Sequence, residues 1–107
     1  MAKPIFEIIK METAVVVKFE IPGGVTTPAE FSEGLTEGNV MEQITGDKPV
    51  LINGRGPVWG FGMLIHKAHA SPAVATFDPR LGYVVVETHS PDFKEAQLIP
   101  DPQDPDA

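Results

Sequence analysis

The sequence contains no cysteine, one tryptophan and one tyrosine among its 107 residues. Without cysteine no disulfide can form, which fits a reducing compartment. No apolar run approaches the ~20 residues needed to cross a bilayer, and the N-terminal stretch lacks the long apolar segment of a secretory signal. We therefore expect a cytoplasmic protein without membrane contact, folded as one domain.

Basic residues are also scarce. Eight lysines and arginines face fifteen aspartates and glutamates, for a formal net charge of −7. This excess argues against DNA binding and generic RNA binding, which depend on a basic face. Residues 53–90 nevertheless hold three bases, two acids and all three histidines, a local net charge of +1. A small anionic ligand suits this region better than a long polyanion.

Apolar and β-branched stretches predict six strands. Thr27 before Pro28, with Glu30 three residues later, predicts a capped helix start. Two glycines, Gly60 and Gly62, oppose a helix after Pro57 on propensity, but they would permit close packing there. The predicted strands are 5–10, 13–21, 50–53, 72–77, 82–89 and 97–100, and the predicted helices are 28–36, 39–45 and 58–70.

This order of elements predicts an α+β fold, with a single mixed β-sheet and helices packed on one face. The folded domain is expected over residues 1–99, followed by an acidic, proline-rich, disordered tail over 100–107. The strands 50–53 and 72–77 are joined by a helix, so they should be parallel. Their carboxyl ends would then bring Asn53-Gly54-Arg55 and Asp78-Pro79-Arg80 to one edge of the sheet.

The only two arginines lie in Gly/Pro turns, "NGRGP" and "DPRLG". The first turn either exposes backbone N–H groups to an anion or is a tight turn with a solvent-exposed Arg55. In the second, Asp78 either accepts backbone hydrogen bonds while Arg80 pairs with an acid, or both side chains act on a phosphate. Spacing alone does not decide between these interpretations.

His66 and His69 are three residues apart and would share one helix face. The absence of cysteine and of a His-Glu-x-x-His pattern argues against structural zinc, and a histidine at a helix end is commonly explained by the helix dipole. His89 ends a strand. A histidine, an aspartate and an arginine together would suit RNA phosphodiester cleavage, where the 2′-hydroxyl is the nucleophile.

These motifs together resemble a small CRISPR-associated family of type III systems. The resemblance rests on "INGRGP" with the tryptophan that follows, on "HKAH", on "DPRLG" and on "THS" after "VVV". The matching stretches are Leu51–Trp59, His66–His69, Asp78–Gly82 and Thr88–Ser90. Members are ring nucleases that degrade cyclic tetra-adenylate, earlier described as manganese-dependent RNA 3′-end exonucleases.

The resemblance implies a ferredoxin-like fold and a homodimer that assembles into a homotetramer or filament around the ligand. It implies His69, Asp78 and Arg80 as the catalytic set, and Mn²⁺ held by His69, Asp78 and His89. The substrate-binding residues that it implies are Asn53, Gly54, Arg55, Gly56, His66 and Ser90.

Two other functions stay open. One is a manganese-dependent exonuclease that deadenylates linear RNA 3′ ends. The other is a binder of cyclic oligoadenylate that does not cut it.

Overall fold

A computed structural model describes residues 1–104, which form a six-stranded sheet and three α-helices. Their boundaries agree with the predicted elements to within about three residues. The Cα radius of gyration, 13.2 Å, is that of one domain of this length. The strands are β1 (Ile5–Lys10), β2 (Val15–Glu20), β3 (Val50–Gly54), β4 (Ala73–Asp78), β5 (Gly82–Thr88) and β6 (Leu98–Ile99), and the helices are α1 (Pro28–Glu37), α2 (Val40–Ile44) and α3 (Val58–Lys67).

The six strands lie side by side in chain order. β2, β3 and β4 run parallel, whereas β1, β5 and β6 each pair antiparallel. The predicted mixed sheet and the predicted parallel pairing of β3 with β4 are confirmed. The order of elements is not the β-α-β-β-α-β order of a ferredoxin-like unit, so that detail of the prediction is not confirmed.

The helices cover one face of the sheet. Buried side chains from all three helices join those of β2, β3 and β4 in one cluster, with Phe31 fully buried among Phe6, Phe19 and Trp59. A second cluster on the opposite face contains Tyr83 but no helical residue. The helices therefore stabilise the sheet from one side, as the order of elements predicts.

Helix α1 begins as predicted. The Thr27 hydroxyl oxygen accepts the Glu30 backbone N–H at 3.2 Å, and the same hydroxyl donates to the Glu30 carboxylate at 2.9 Å. Proline at the first helical position completes the start. The predicted capped N-terminus is thus confirmed.

Helix α3 ends three residues before its predicted end. The His69 backbone N–H bonds to the His66 carbonyl at 3.2 Å, which tightens the chain into a turn. The buried Ser71 hydroxyl then donates to the Ala68 carbonyl at 2.7 Å. His69 therefore lies in the turn before β4 and not on the helix, where it was expected to share a face with His66.

The two glycines of α3 have different environments. A Cβ on Gly60 would lie 3.0 Å from the Phe31 ring, whereas a Cβ on Gly62 would meet nothing within 4 Å. The close packing that the sequence suggested for these glycines therefore holds at Gly60 alone.

The predicted acidic tail is described only in part. Within residues 100–104, the Asp101 carboxylate accepts the Gln103 backbone N–H at 2.9 Å. Residues 105–107 lie outside the described residues, so the disorder of the tail stays a prediction. No helix among residues 1–104 is long and apolar enough to span a membrane.

We expect Gly54→Ala to destabilise the protein by about 1–3 kcal/mol, the usual cost of inserting a methyl group into a packed site. The new Cβ would lie 2.6 Å from the Phe19 carbonyl oxygen and 2.5 Å from its ring. Urea unfolding followed by circular dichroism measures the change.

Gly62→Ala is the matched control. It adds the same methyl group in open space inside a helix, so it should stabilise the protein by up to about 1 kcal/mol. Equal midpoints for wild type and Gly54→Ala would show that β3 does not depend on this close approach.

Candidate functional site

The carboxyl ends of β2, β3 and β4 form an open cleft of about 1020 Å³. The end of β3 supplies Asn53 and the loop after it supplies Arg55, while the end of β4 supplies Phe77 and the turn after it supplies Pro79. Among residues 1–104 the Arg55 guanidinium has neither a hydrogen-bond partner nor an ion pair. The predicted edge therefore contains an open cleft with an available cation.

The glycines of "NGRGP" have a structural role. A Cβ on Gly54 or on Gly56 would lie within 2.5–2.7 Å of the Phe19 ring. Neither glycine has a positive φ, so the close approach to Phe19, and not an unusual backbone conformation, requires them. The loop that carries Arg55 therefore follows a path set by packing on β2.

Asn53 also has a structural contact. Its side-chain amide donates to the Tyr83 hydroxyl at 3.3 Å. Burial raises the pKa of Tyr83, the Asn53 hydrogen bond opposes this shift, and the charge of Asp101 adds to it. Tyr83 therefore stays neutral at ordinary pH and joins β3 to β5 beside the cleft.

Arg80 lies in the turn between β4 and β5, at the same end of the sheet. The Asp78 carboxylate accepts the Arg80 backbone N–H at 2.8 Å, and the Arg80 guanidinium lies 3.5 Å from the same carboxylate. Both contacts lower the pKa of Asp78, the backbone hydrogen bond most. The Arg80 side chain is still 85% exposed. Asp78 thus remains ionised and shapes the turn that presents Arg80 to solvent.

The opposite end of β4 carries a second group of polar side chains: His69, Glu87 and His89. One Glu87 carboxylate oxygen lies 3.2 Å from His69 Nδ1 and 3.0 Å from His89 Nε2. The two imidazole rings meet edge to face, with centroids 4.8 Å apart. The three side chains can each direct one ligand atom to a common point, since these atoms lie within 4.8 Å of one another.

A β-bulge brings Glu87 into this group. Ala75 pairs with Val85 and Val74 pairs with Glu87, so Val86 is left without a partner in β4. Directly paired residues share a face, and Val74 belongs to the core cluster on the helical face. Without the extra residue Glu87 would share the opposite face with Tyr83 and Val85. The bulge therefore turns Glu87 toward His69, as bulges beside functional sites often do.

The predicted catalytic and metal sets are not assembled within one chain. His69 precedes β4 and Asp78 ends it, so the strand separates them by roughly 16 Å at about 3.3 Å per residue. The predicted metal ligands His69 and His89 do lie together, but the carboxylate beside them is Glu87. Asp78 cannot join that group, because it lies at the other end of β4.

Two predicted substrate-binding residues lie outside both groups. His66 is exposed on α3 and is not one of the residues whose ligand atoms converge in the His69, Glu87 and His89 cluster. The Ser90 hydroxyl accepts the Asp92 backbone N–H at 3.2 Å in a local turn. Sequence spacing offered no signal for Glu87, because strict alternation along β5 assigns it to the other face.

The donor set fits a divalent cation. Two imidazoles and a carboxylate suit first-row divalent metals, and the arrangement leaves coordination positions for water or a ligand. Manganese, which the family resemblance implies, is compatible with this set, although the ligand types do not select it over zinc or iron. His69, Glu87 and His89 are thus the residues that would hold the metal.

These features define the class of protein. It is a small α+β protein with an arginine-bearing cleft at one end of the sheet and a candidate metal centre at the other end. The family model for CRISPR-associated protein (Cas_csx3) matches residues 31–100. Because this covers more than half of the chain, the chain belongs to that family. The matched region contains both ends of β4, the two arginine-bearing turns and the cluster of His69, Glu87 and His89.

A relative from Aquifex aeolicus (strain VF5), described as an uncharacterized protein, is 47% identical over 51 residues. The match covers 47% of this chain and 46% of the relative. The matching region thus spans about half the length of that relative.

We expect Glu87→Gln to weaken Mn²⁺ binding by tenfold or more, because the cluster loses its only charged ligand. Isothermal titration calorimetry with MnCl₂ measures the affinity. His66→Ala removes an imidazole three residues from His69 but outside the cluster, so it should bind Mn²⁺ as wild type does. Unchanged affinity in Glu87→Gln would remove this cluster as the metal centre.

Proposed function

We propose that this chain is a ring nuclease of type III CRISPR systems, which cleaves cyclic tetra-adenylate into linear di-adenylates and so ends the antiviral signal. Membership of the CRISPR-associated family supports the biological setting. The observation that carries the proposal is the pair of exposed guanidinium groups, Arg55 and Arg80, at one end of the sheet in an otherwise acidic chain. Two separated cations suit a compact ligand with several phosphates.

The cleavage that we propose uses the substrate's own 2′-hydroxyl. This hydroxyl attacks the adjacent phosphorus, the bond from phosphorus to the 5′ oxygen breaks, and two such cuts give two di-adenylates with cyclic phosphate ends. A histidine accepts the 2′ proton, and the 5′ oxygen takes up a proton as it leaves. Arg80 neutralises the charge that develops on the phosphate.

His69 is the proton-transfer group that we favour. It is exposed, and its Nδ1 faces the Glu87 carboxylate at 3.2 Å, an arrangement that fixes the ring and leaves Nε2 for a substrate. While His69 serves as the base it is not a metal ligand, so a divalent cation in this step would be held by Glu87 and His89, where it would polarise a phosphate oxygen and neutralise its charge. We infer that Asp78 acts by shaping the turn that presents Arg80.

The two ends of β4 lie too far apart to act on one phosphodiester within one chain. If His69 and Arg80 both contact the reacting phosphate, they come from different copies of the chain. A homodimer that assembles into a homotetramer or filament would meet this requirement, because stacked copies bring unlike ends together around a symmetric ligand. The separation of the two groups thus supports the assembly that the family resemblance implies.

The decisive experiment is incubation with cyclic tetra-adenylate, with and without Mn²⁺, with products identified by mass. We expect di-adenylates only when Mn²⁺ is present. A linear oligoadenylate at equal concentration distinguishes the deadenylating exonuclease, which would prefer the linear RNA. Tight binding without any product would favour the non-catalytic binder.

A second experiment tests whether the site is shared between copies. His69→Ala and Asp78→Ala should each lose most activity alone. Co-expressed in equal amounts, they should regain about a quarter of wild-type activity, because one interface in four then combines an intact histidine with an intact turn.

Asp78→Ala is chosen because it removes the carboxylate that accepts the Arg80 backbone N–H, so the turn that presents Arg80 is lost. Glu12→Ala, which removes an acid in the turn between β1 and β2, is the matched control. Failure of the mixed assembly to exceed either variant alone would mean that these residues do not act together across copies.

A further inference from the structure

Trp59 is the only tryptophan in the chain, and it lines the cleft beside Arg55. It is the second residue of α3, and its ring meets Phe31 edge to face at 5.8 Å with an interplanar angle of 83°. Phe31 is fully buried, whereas Trp59 is 38% exposed. The indole is therefore held in place by the core while part of it remains open to the cleft.

The polar lining of the cleft is sparse. Within residues 1–104, Arg55 is the only basic residue among the side chains that line it, and Glu20 is the only acidic one. The rest of the wall includes Phe19, Phe77 and Pro57. An inorganic anion would use Arg55 but none of the apolar surface, and an apolar ligand would leave Arg55 without a role.

A nucleotide uses both parts of such a wall, because it joins a flat aromatic base to a phosphate. Stacking on an aromatic side chain is a common way of holding an unpaired base, and it tolerates different bases. The cleft volume of about 1020 Å³ lies at the upper end of the range of roughly 300–1,000 Å³ typical of ligand pockets. One nucleotide unit of a larger ligand fits within it.

We propose that the Trp59 indole is the stacking platform for one adenine base of the ligand, whose neighbouring phosphate Arg55 binds. This inference rests on the proposed function and adds a residue that fixes the ligand by its base. Trp59 therefore contributes to binding, and the proton transfer takes place at other residues.

Intrinsic fluorescence tests the contact directly, because the chain has a single tryptophan. With EDTA present to prevent cleavage, cyclic tetra-adenylate should quench the emission in a saturable way at fixed protein concentration. Inorganic phosphate should bind without comparable quenching, since it offers no ring. Emission that changes with protein concentration but not with ligand would mean that a second copy covers the indole, and would overturn the proposal.

Kinetics of ring opening provide the second test. Trp59→Leu should raise KM about tenfold while kcat stays near the wild-type value, in line with the contribution of stacked bases. Trp59→Phe keeps a ring and should raise KM by less than about threefold. If Trp59→Leu fails to fold, the KM of Trp59→Phe compared with wild type and the quenching result still decide whether the Trp59 ring stacks on a base.

Val58→Ala is the matched control, because Val58 precedes Trp59 on the same helical turn, is 89% exposed and does not line the cleft. It should leave KM unchanged. Ring opening with unaltered KM in Trp59→Leu, together with no quenching of wild type, would refute the stacking role and leave the ring nuclease standing. No binding of cyclic tetra-adenylate to wild type would refute both.

Discussion

The parallel pairing of β2, β3 and β4 is the constraint on which the rest of the structure depends. Because these strands run in one direction, their carboxyl ends meet at one edge, where the two arginine-bearing turns follow β3 and β4. The same direction sends the residues before β4 to the other edge. The sheet thereby separates the two candidate groups, and no rearrangement of loops within one chain would bring them together.

One unpaired residue then determines the chemistry of the second edge. Val86 has no partner in β4, and its insertion reverses the faces of all later residues of β5. Glu87 and His89 consequently lie on the side where the chain leaves α3 and His69 is located. A carboxylate that a regular strand would direct toward Tyr83 becomes the group that joins two imidazoles.

The sequence predicted most of the fold because its signals are local. Apolar runs located the strands, the Thr27 cap located α1, and the helix between β3 and β4 predicted their parallel pairing. The separation of His69 from Asp78 could also have been predicted, since a strand lies between them. The position of Glu87 beside the two histidines could not have been predicted, because nothing in "YVVVETH" indicates a β-bulge. The requirement for glycine at position 54 could not have been predicted either, because Phe19, the residue that Gly54 packs against, is distant in sequence and contacts it only across the sheet.

The distribution of charge favours a ligand that is bound at several small contacts. The chain carries a net charge of −7 and would repel a long RNA, whereas Arg55 and Arg80 form a local exception at one edge. A single chain offers few contacts of this kind, so its affinity for any one phosphate is expected to be modest. Repetition in a symmetric assembly multiplies such contacts. Under the proposed function it would also complete the reactive site only when copies meet, so the ligand that drives assembly would be the ligand that is cut.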